Sequence, residues 1–131
     1  MSSDVQFLSR RLVEALHHRQ IERFGGSHGL RDEGLLESAL ARPLNRASFT
    51  EASVTELAAS YFFGLVRNHA FIDGNKRISI TAAGVFLMMN GLQLSTDDGT
   101  LYAFVMRAAE GKIDEDGAAR FFADFCIPLD P

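Results

Sequence analysis

The sequence predicts an all-α fold, a bundle of five or six helices around a buried central one. Apolar residues recur at i, i+3, i+4 and i+7 in separate stretches, the period of an amphipathic helix. Ser and Asp precede these stretches and Gly follows most of them, which are start and stop signals for helices. One stretch, "NKRISITAAGVFLMMN" at 75–90, is apolar in nearly every direction, as expected of a helix in the middle of a bundle.

The elements follow in order. "VQFL" at 5–8 is a short strand or an extended lead-in. Ser9 suits an N-cap for a helix through Phe24, with Leu12, Leu16 and Ile21 at helical spacing. Gly25 and Gly26 end it. Asp32 caps a short helix from Glu33 to Ala41, closed by Pro43, and residues 44–52 are irregular. Val54, Leu57, Ala58, Tyr61, Phe62 and Leu65 predict a helix from Ser53 to about Arg67. "HAFIDG" breaks the period before the apolar helix from Asn75 to Asn90, which stops at Gly91. Gly84 inside that helix costs about 1 kcal/mol against Ala, so a closely crossing helix is expected there. "LQL" is a brief extended piece. Caps within 95–98 open a helix to about Ala109, and Asp114 opens a last one to about Cys126.

The chain of 131 residues is expected to form one domain, 1–131. Its 47% hydrophobic and 23% charged residues are ordinary for a globular protein and exclude disorder. A net charge of −4 argues against direct binding of nucleic acid, which needs surplus Lys and Arg on one face. Positive charge can still be concentrated locally. Cys126 stands alone, so there is no disulfide framework and no Cys-based zinc site. "MSSDVQFLSRR" lacks the apolar core of a signal peptide, and "AAGVFLMM" is too short to span a bilayer. A soluble cytoplasmic protein without membrane attachment is expected.

Chemistry is concentrated in "RNHAFIDGNKR" at 67–77, where a loop enters the apolar helix. A helix N-terminus offers free backbone N–H groups and about half a positive charge, a ready anion site. Lys76 and Arg77 in its first turn oppose the macrodipole by a few tenths of a kcal/mol each. A bound polyanion explains them; extension into water or pairing with surface carboxylates is the plain alternative. Gly74 lets the backbone approach such a ligand. Asp73 either caps the helix or presents a carboxylate to Mg²⁺, and Asn75 can cap equally well. His69 can take a proton from an attacking hydroxyl at cell pH, or merely fix the turn. Phe71 anchors the loop by burying its ring. Arg67 complements the dipole at the end of its helix and can also reach a phosphate. Together these groups supply base, metal ligand, anion nest and two cations, the needs of phosphoryl or nucleotidyl transfer.

"HAFIDGNKR" at 69–77 resembles the H-x-F-x-[D/E]-x-N-[G/K]-R signature of the Fic/Doc superfamily. "ALHHRQIERFGGSHGLRDEGLLESALARP" at 15–43 and "AAGVFLMMNGLQL" resemble its Doc (death-on-curing) branch, and the likeness covers about Leu8 to Phe122. The resemblance implies His69 as the catalytic base and Asp73 as the metal-binding acid. It places Gly74 and Asn75 in the anion nest, Lys76 and Arg77 on the phosphates, and Phe71 as the buried anchor. An Arg two positions before the His also occurs in Doc and falls on Arg67. The implied cofactors are ATP, as substrate, and Mg²⁺.

Two departures bear on the reaction. AMP-transferring Fic proteins carry G-N-G-R-x-x-R, whereas here Lys76 replaces the middle glycine and Ile80 the last arginine. In the Doc branch that change goes with a reversed nucleotide, which implies transfer of the γ-phosphate to a protein hydroxyl. The resemblance thus implies a toxin kinase acting on a threonine of elongation factor Tu and arresting translation. An AMP-transferase and a catalytically inactive binding module are the alternatives. "ISIT" differs from the usual "TAL" after the motif, and Ala70 replaces a frequent proline. The inhibitory [S/T]-x-x-x-E-[G/N] string is absent, since Gly29 and Met106 precede the two Glu-Gly pairs. Restraint in trans by a Phd-like antitoxin is therefore expected.

Overall fold

The computed structural model describes residues 4–129. Helices account for most of it, in the order α1 (Arg10–Phe24), α2 (Glu33–Phe49), α3 (Val54–Asn68), α4 (Asn75–Met89), α5 (Asp98–Ala109) and α6 (Glu115–Phe125). Strands β1 (Leu92–Leu94) and β2 (Cys126–Pro128) pair antiparallel, Gln93 opposite Ile127. The all-α architecture of six helices is as the sequence predicts. No helix among the described residues is long and apolar enough to cross a membrane.

Side-chain caps start the helices where Ser and Asp were expected to. Ser9 Oγ accepts from Leu12 N at 3.0 Å, Asp32 Oδ1 from Leu35 N at 2.9 Å and Asp114 Oδ1 from Gly117 N at 2.7 Å. Ser53 and Glu56 form a reciprocal capping box at α3. Asp97 caps α5. Each such cap stabilises its helix by about 1 kcal/mol.

The central helix is α3, not α4. Nine residues of α3 are buried, Leu57 to Phe62 and Gly64 to Val66, against six in α4. Met88 and Met89 of α4 are exposed at 49% and 41%. Hydrophobicity on every side of α4 did not translate into burial on every side, because apolar surface is also common outside. The close crossing likewise lies elsewhere: a Cβ at Gly84 would meet nothing within 4 Å, whereas one at Gly64 would lie 3.1 Å from Ala39 Cα and 3.3 Å from Ala39 O. Gly64 lets α3 press directly on the backbone of α2.

That contact falls where α2 differs from expectation. The helix does not close at Pro43 but runs through it to Phe49, so residues 44–49 are helical rather than irregular. Pro43 has no N–H for the carbonyl of Ala39 four residues back. Its ring is fully buried, and that burial outweighs the lost bond. Farther along, Arg42 and Arg46 of α2 and Ser60 of α3 converge on Glu115 of α6. The Ser60 hydroxyl donates to Glu115 Oε2 at 2.7 Å. Burial would raise that carboxyl, but the hydroxyl and the guanidinium of Arg42 outweigh it and hold Glu115 below the ordinary carboxylate range.

Between α3, α5 and α6 the core is aromatic. Phe104 stacks on Phe121 at 3.8 Å and on Phe62 at 4.8 Å, with Phe122 edge-on to Phe62. Residues 5–8 form neither helix nor strand. Leu8 N donates to the buried Tyr61 hydroxyl at 2.9 Å, and Gln6 exchanges two bonds with the Asn90 side chain.

Candidate active site at the start of α4

Residues 69–74 link α3 to α4, and three neighbours fix them. His69 ends α3 in the left-handed conformation, φ 52°. The stretch 29–32 lies alongside: Ile72 N donates to Gly29 O, while Arg31 N and Asp32 N both donate to Ala70 O. Arg31 also reaches the end of α3, donating from Nε to His69 O at 2.7 Å and from Nη2 to Asn68 O. Phe71 is 3% exposed, the buried anchor expected of it. Its ring stacks on His17 of α1 at 3.8 Å between centroids.

His17 and Gln20 carry α1 onto the loop. Burial lowers the proton affinity of His17, and the Nε2–H of the neutral ring donates to Asp73 O at 2.7 Å. Gln20 Nε2 donates to Gly74 O at 3.4 Å, while its Oε1 is buried without a partner among the described residues. Neither residue stands out in the sequence. They lie 56 and 54 positions before the residues they contact, and a buried His on a helix face has no local signature. The glycine pair after α1 was a visible signal, but only of a helix end. In the structure Gly26, at φ 112°, lets the chain approach Asp73 so closely that a Cβ would lie 2.7 Å from Asp73 Oδ2.

Asp73 does not cap α4. Its Oδ2 accepts from Ser27 N at 3.1 Å and its Oδ1 from Gly74 N at 2.8 Å. These backbone donors, aided by Lys76, hold the carboxyl below its ordinary range, so it is ionised at neutral pH. The residue is exposed. Asn75 does not cap either. Its Oδ1 accepts from Phe71 N at 3.0 Å and its Nδ2 donates to Phe71 O at 2.9 Å. The side chain thus clamps the loop, leaving only the backbone amide of Asn75 to meet an anion.

The N-cap is Gly74, at φ 77°, with no side-chain bond. The first helical bond runs from Ile78 N to Gly74 O, so the amides ahead of it lack helical partners. Among α1–α6, this is the helix start without a side-chain cap. Lys76 and Arg77 are exposed in that first turn. The Arg77 guanidinium lies over the Phe24 ring at 4.2 Å, at a shallow groove that Arg19 and Arg23 of α1 also line. A chain of net charge −4 therefore concentrates cations beside an open helix start.

His69, Asp73, Gly74, Lys76 and Arg77 thus share one loop and the helix turn it enters. Arg67 does not join them: its Nη1 donates to Ala108 O and Ala109 O at the end of α5. There it tethers α5 to α3. The donor set at the loop fits the groups that the motif implies. One ionised carboxylate beside uncapped backbone amides has the donor chemistry that suits Mg²⁺, which takes one or two carboxylates plus phosphate oxygens and water. The open amides and two cations match a polyphosphate.

The Fic/DOC family model matches residues 7–87, from the lead-in before α1 to near the end of α4. A protein named "Protein kinase doc" from Escherichia phage P1 is 35% identical over 106 residues, 80% of this chain and 83% of the relative. A protein named "Toxin Doc" from Mycolicibacterium smegmatis is 45% identical over 76 residues, 56% of this chain and 58% of the relative.

Proposed function

The chain belongs to the Fic/Doc family, and on that premise we propose that it is a Doc-type toxin, a protein kinase that transfers the γ-phosphate of ATP to a hydroxyl of a translation factor. The observation that carries the reading is the uncapped start of α4, with Lys76 and Arg77 in its first turn and Asp73 and His69 on the loop before it. The naming of the phage relative as a kinase supports the same reaction.

In this scheme the imidazole of His69 takes the proton of the acceptor hydroxyl as its oxygen bonds to the γ-phosphorus. The bond from that phosphorus to the bridging oxygen breaks, and ADP leaves. Lys76, Arg77 and the amides of Asn75 and Lys76 stabilise charge on the transferred group in a setting already oriented for it, the Gly74 amide being held by Asp73 Oδ1. Asp73 would hold Mg²⁺, which when bound neutralises phosphate charge. His17, Asn75 and Gly26 keep the loop in place. Ile80, where AMP-transferring relatives place an arginine, packs against the hydrophobic core. That favours the kinase over AMP transfer.

Elongation factor Tu is the proposed substrate, and a Phd-like antitoxin the proposed restraint. The test is incubation with ATP, Mg²⁺ and elongation factor Tu, read by intact-protein mass. A gain of one phosphate on the factor, absent with His69→Ala, is the expected result. A gain of one AMP identifies the AMP-transferase instead, and no modification with toxicity retained in His69→Ala identifies a binding module.

A further inference from the structure

A second constellation stands on the other face of α1. His18 and Glu22 are one helical turn apart on that helix, a spacing that puts both side chains on one side. His28, from the loop that follows, meets them: its Nε2 lies 2.5 Å from Glu22 Oε2, and its ring stands 4.4 Å from that of His18. One ligand atom from each of the three lies within 4.8 Å of the others. All three residues are exposed.

We propose that His18, Glu22 and His28 form a binding site for a divalent transition metal, with zinc the natural ion. Two imidazoles and one carboxylate are a zinc donor set, and a fourth position stays open to water. Tetrahedral zinc with bonds of about 2.0–2.2 Å needs donors roughly 3.3–3.6 Å apart, so side-chain rotations of about an ångström assemble the site from its present form. The ion takes the place of the hydrogen bond between His28 and Glu22.

The third ligand is already in place. On one side of His28, Ser27 N is bonded to Asp73; on the other, Gly29 O accepts from Ile72 N. Binding therefore does not have to order a free loop, which would cost about 1–2 kcal/mol per residue. Arg19 and Arg23, each one position on from a ligand, line the groove against α4 and point away from the ion. Magnesium does not compete, because it prefers oxygen donors and keeps its water. The bound ion would tie α1 to the loop that supplies a backbone donor to Asp73.

Calorimetric titration of the tag-free protein with zinc tests the site. The expected result is one zinc per chain and a zinc-dependent rise in melting temperature. His18→Ala and His28→Ala should each weaken binding at least about tenfold, with circular dichroism showing an intact fold, while excess magnesium does not displace the zinc. Absence of binding in excess zinc overturns the proposal. So does binding of parental strength in both His variants, or displacement of the zinc by excess magnesium.

Discussion

Asn75→Ala separates two roles for a residue of the motif. If Asn75 served only to contact phosphate, its removal would leave the free protein as stable as before. The structure instead gives its side chain two bonds to the backbone of Phe71, a residue 3% exposed. Losing them strands one buried N–H and one buried C=O, at roughly 1–1.5 kcal/mol each after partial relaxation. The better helix propensity of Ala returns about half a kcal/mol. The net loss is about 1.5–2.5 kcal/mol. For a chain of 131 residues the unfolding entropy is about 0.28 kcal/mol/K, so the midpoint should fall by about 5–9 °C. Scanning calorimetry without nucleotide reads this directly, with Lys76→Ala as the matched control. Lys76 opposes the macrodipole, so its removal should leave the midpoint unchanged or slightly higher. If Asn75→Ala melts within a degree of the parent, the clamp is not the work of that side chain.

Three other outcomes can be checked. Gly84→Ala should raise stability by about 0.5–1 kcal/mol, because open space surrounds the new methyl; Gly64→Ala should lower it by about 1–2 kcal/mol, because the methyl strikes the backbone of α2, and urea melts of the two variants give the signs. Glu115 titrates lower when folded than its ordinary value of 4.5, so its stabilisation is complete above that pH and fades as pH falls through the folded value. The midpoint gap between the parent and Glu115→Gln should therefore be widest near neutrality and close in acid. Gly26→Ala forces a methyl against Asp73 and a positive φ on Ala, and should cut magnesium-dependent phosphate transfer severalfold, measured with labelled ATP.

Local chemistry carried the sequence reading furthest where it acts locally. Ser9, Asp32, Ser53 and Asp114 start helices because a cap needs only its own next turn. The motif loop was equally visible, because its groups lie within one short stretch. What escaped depends on partners distant in sequence. Gly64 and Gly84 are alike as isolated glycines inside helices, and only the position of α2 tells which one is crossed. Pro43 ends a helix by local rules, yet its burial in the interior carries α2 past it. His17 and Gln20 belong to the site through a contact between α1 and the loop that no spacing within the motif encodes.

The ring of Phe24 beneath Arg77 has a practical use. The chain contains no tryptophan and only two tyrosines, Tyr61 in the interior and Tyr102 at the surface. An indole placed at Phe24, which is 58% exposed, would be the sole such fluorophore in the molecule and would lie against the guanidinium. Its emission would change when that cation turns to an arriving polyphosphate, giving an optical signal for nucleotide capture that needs no acceptor protein.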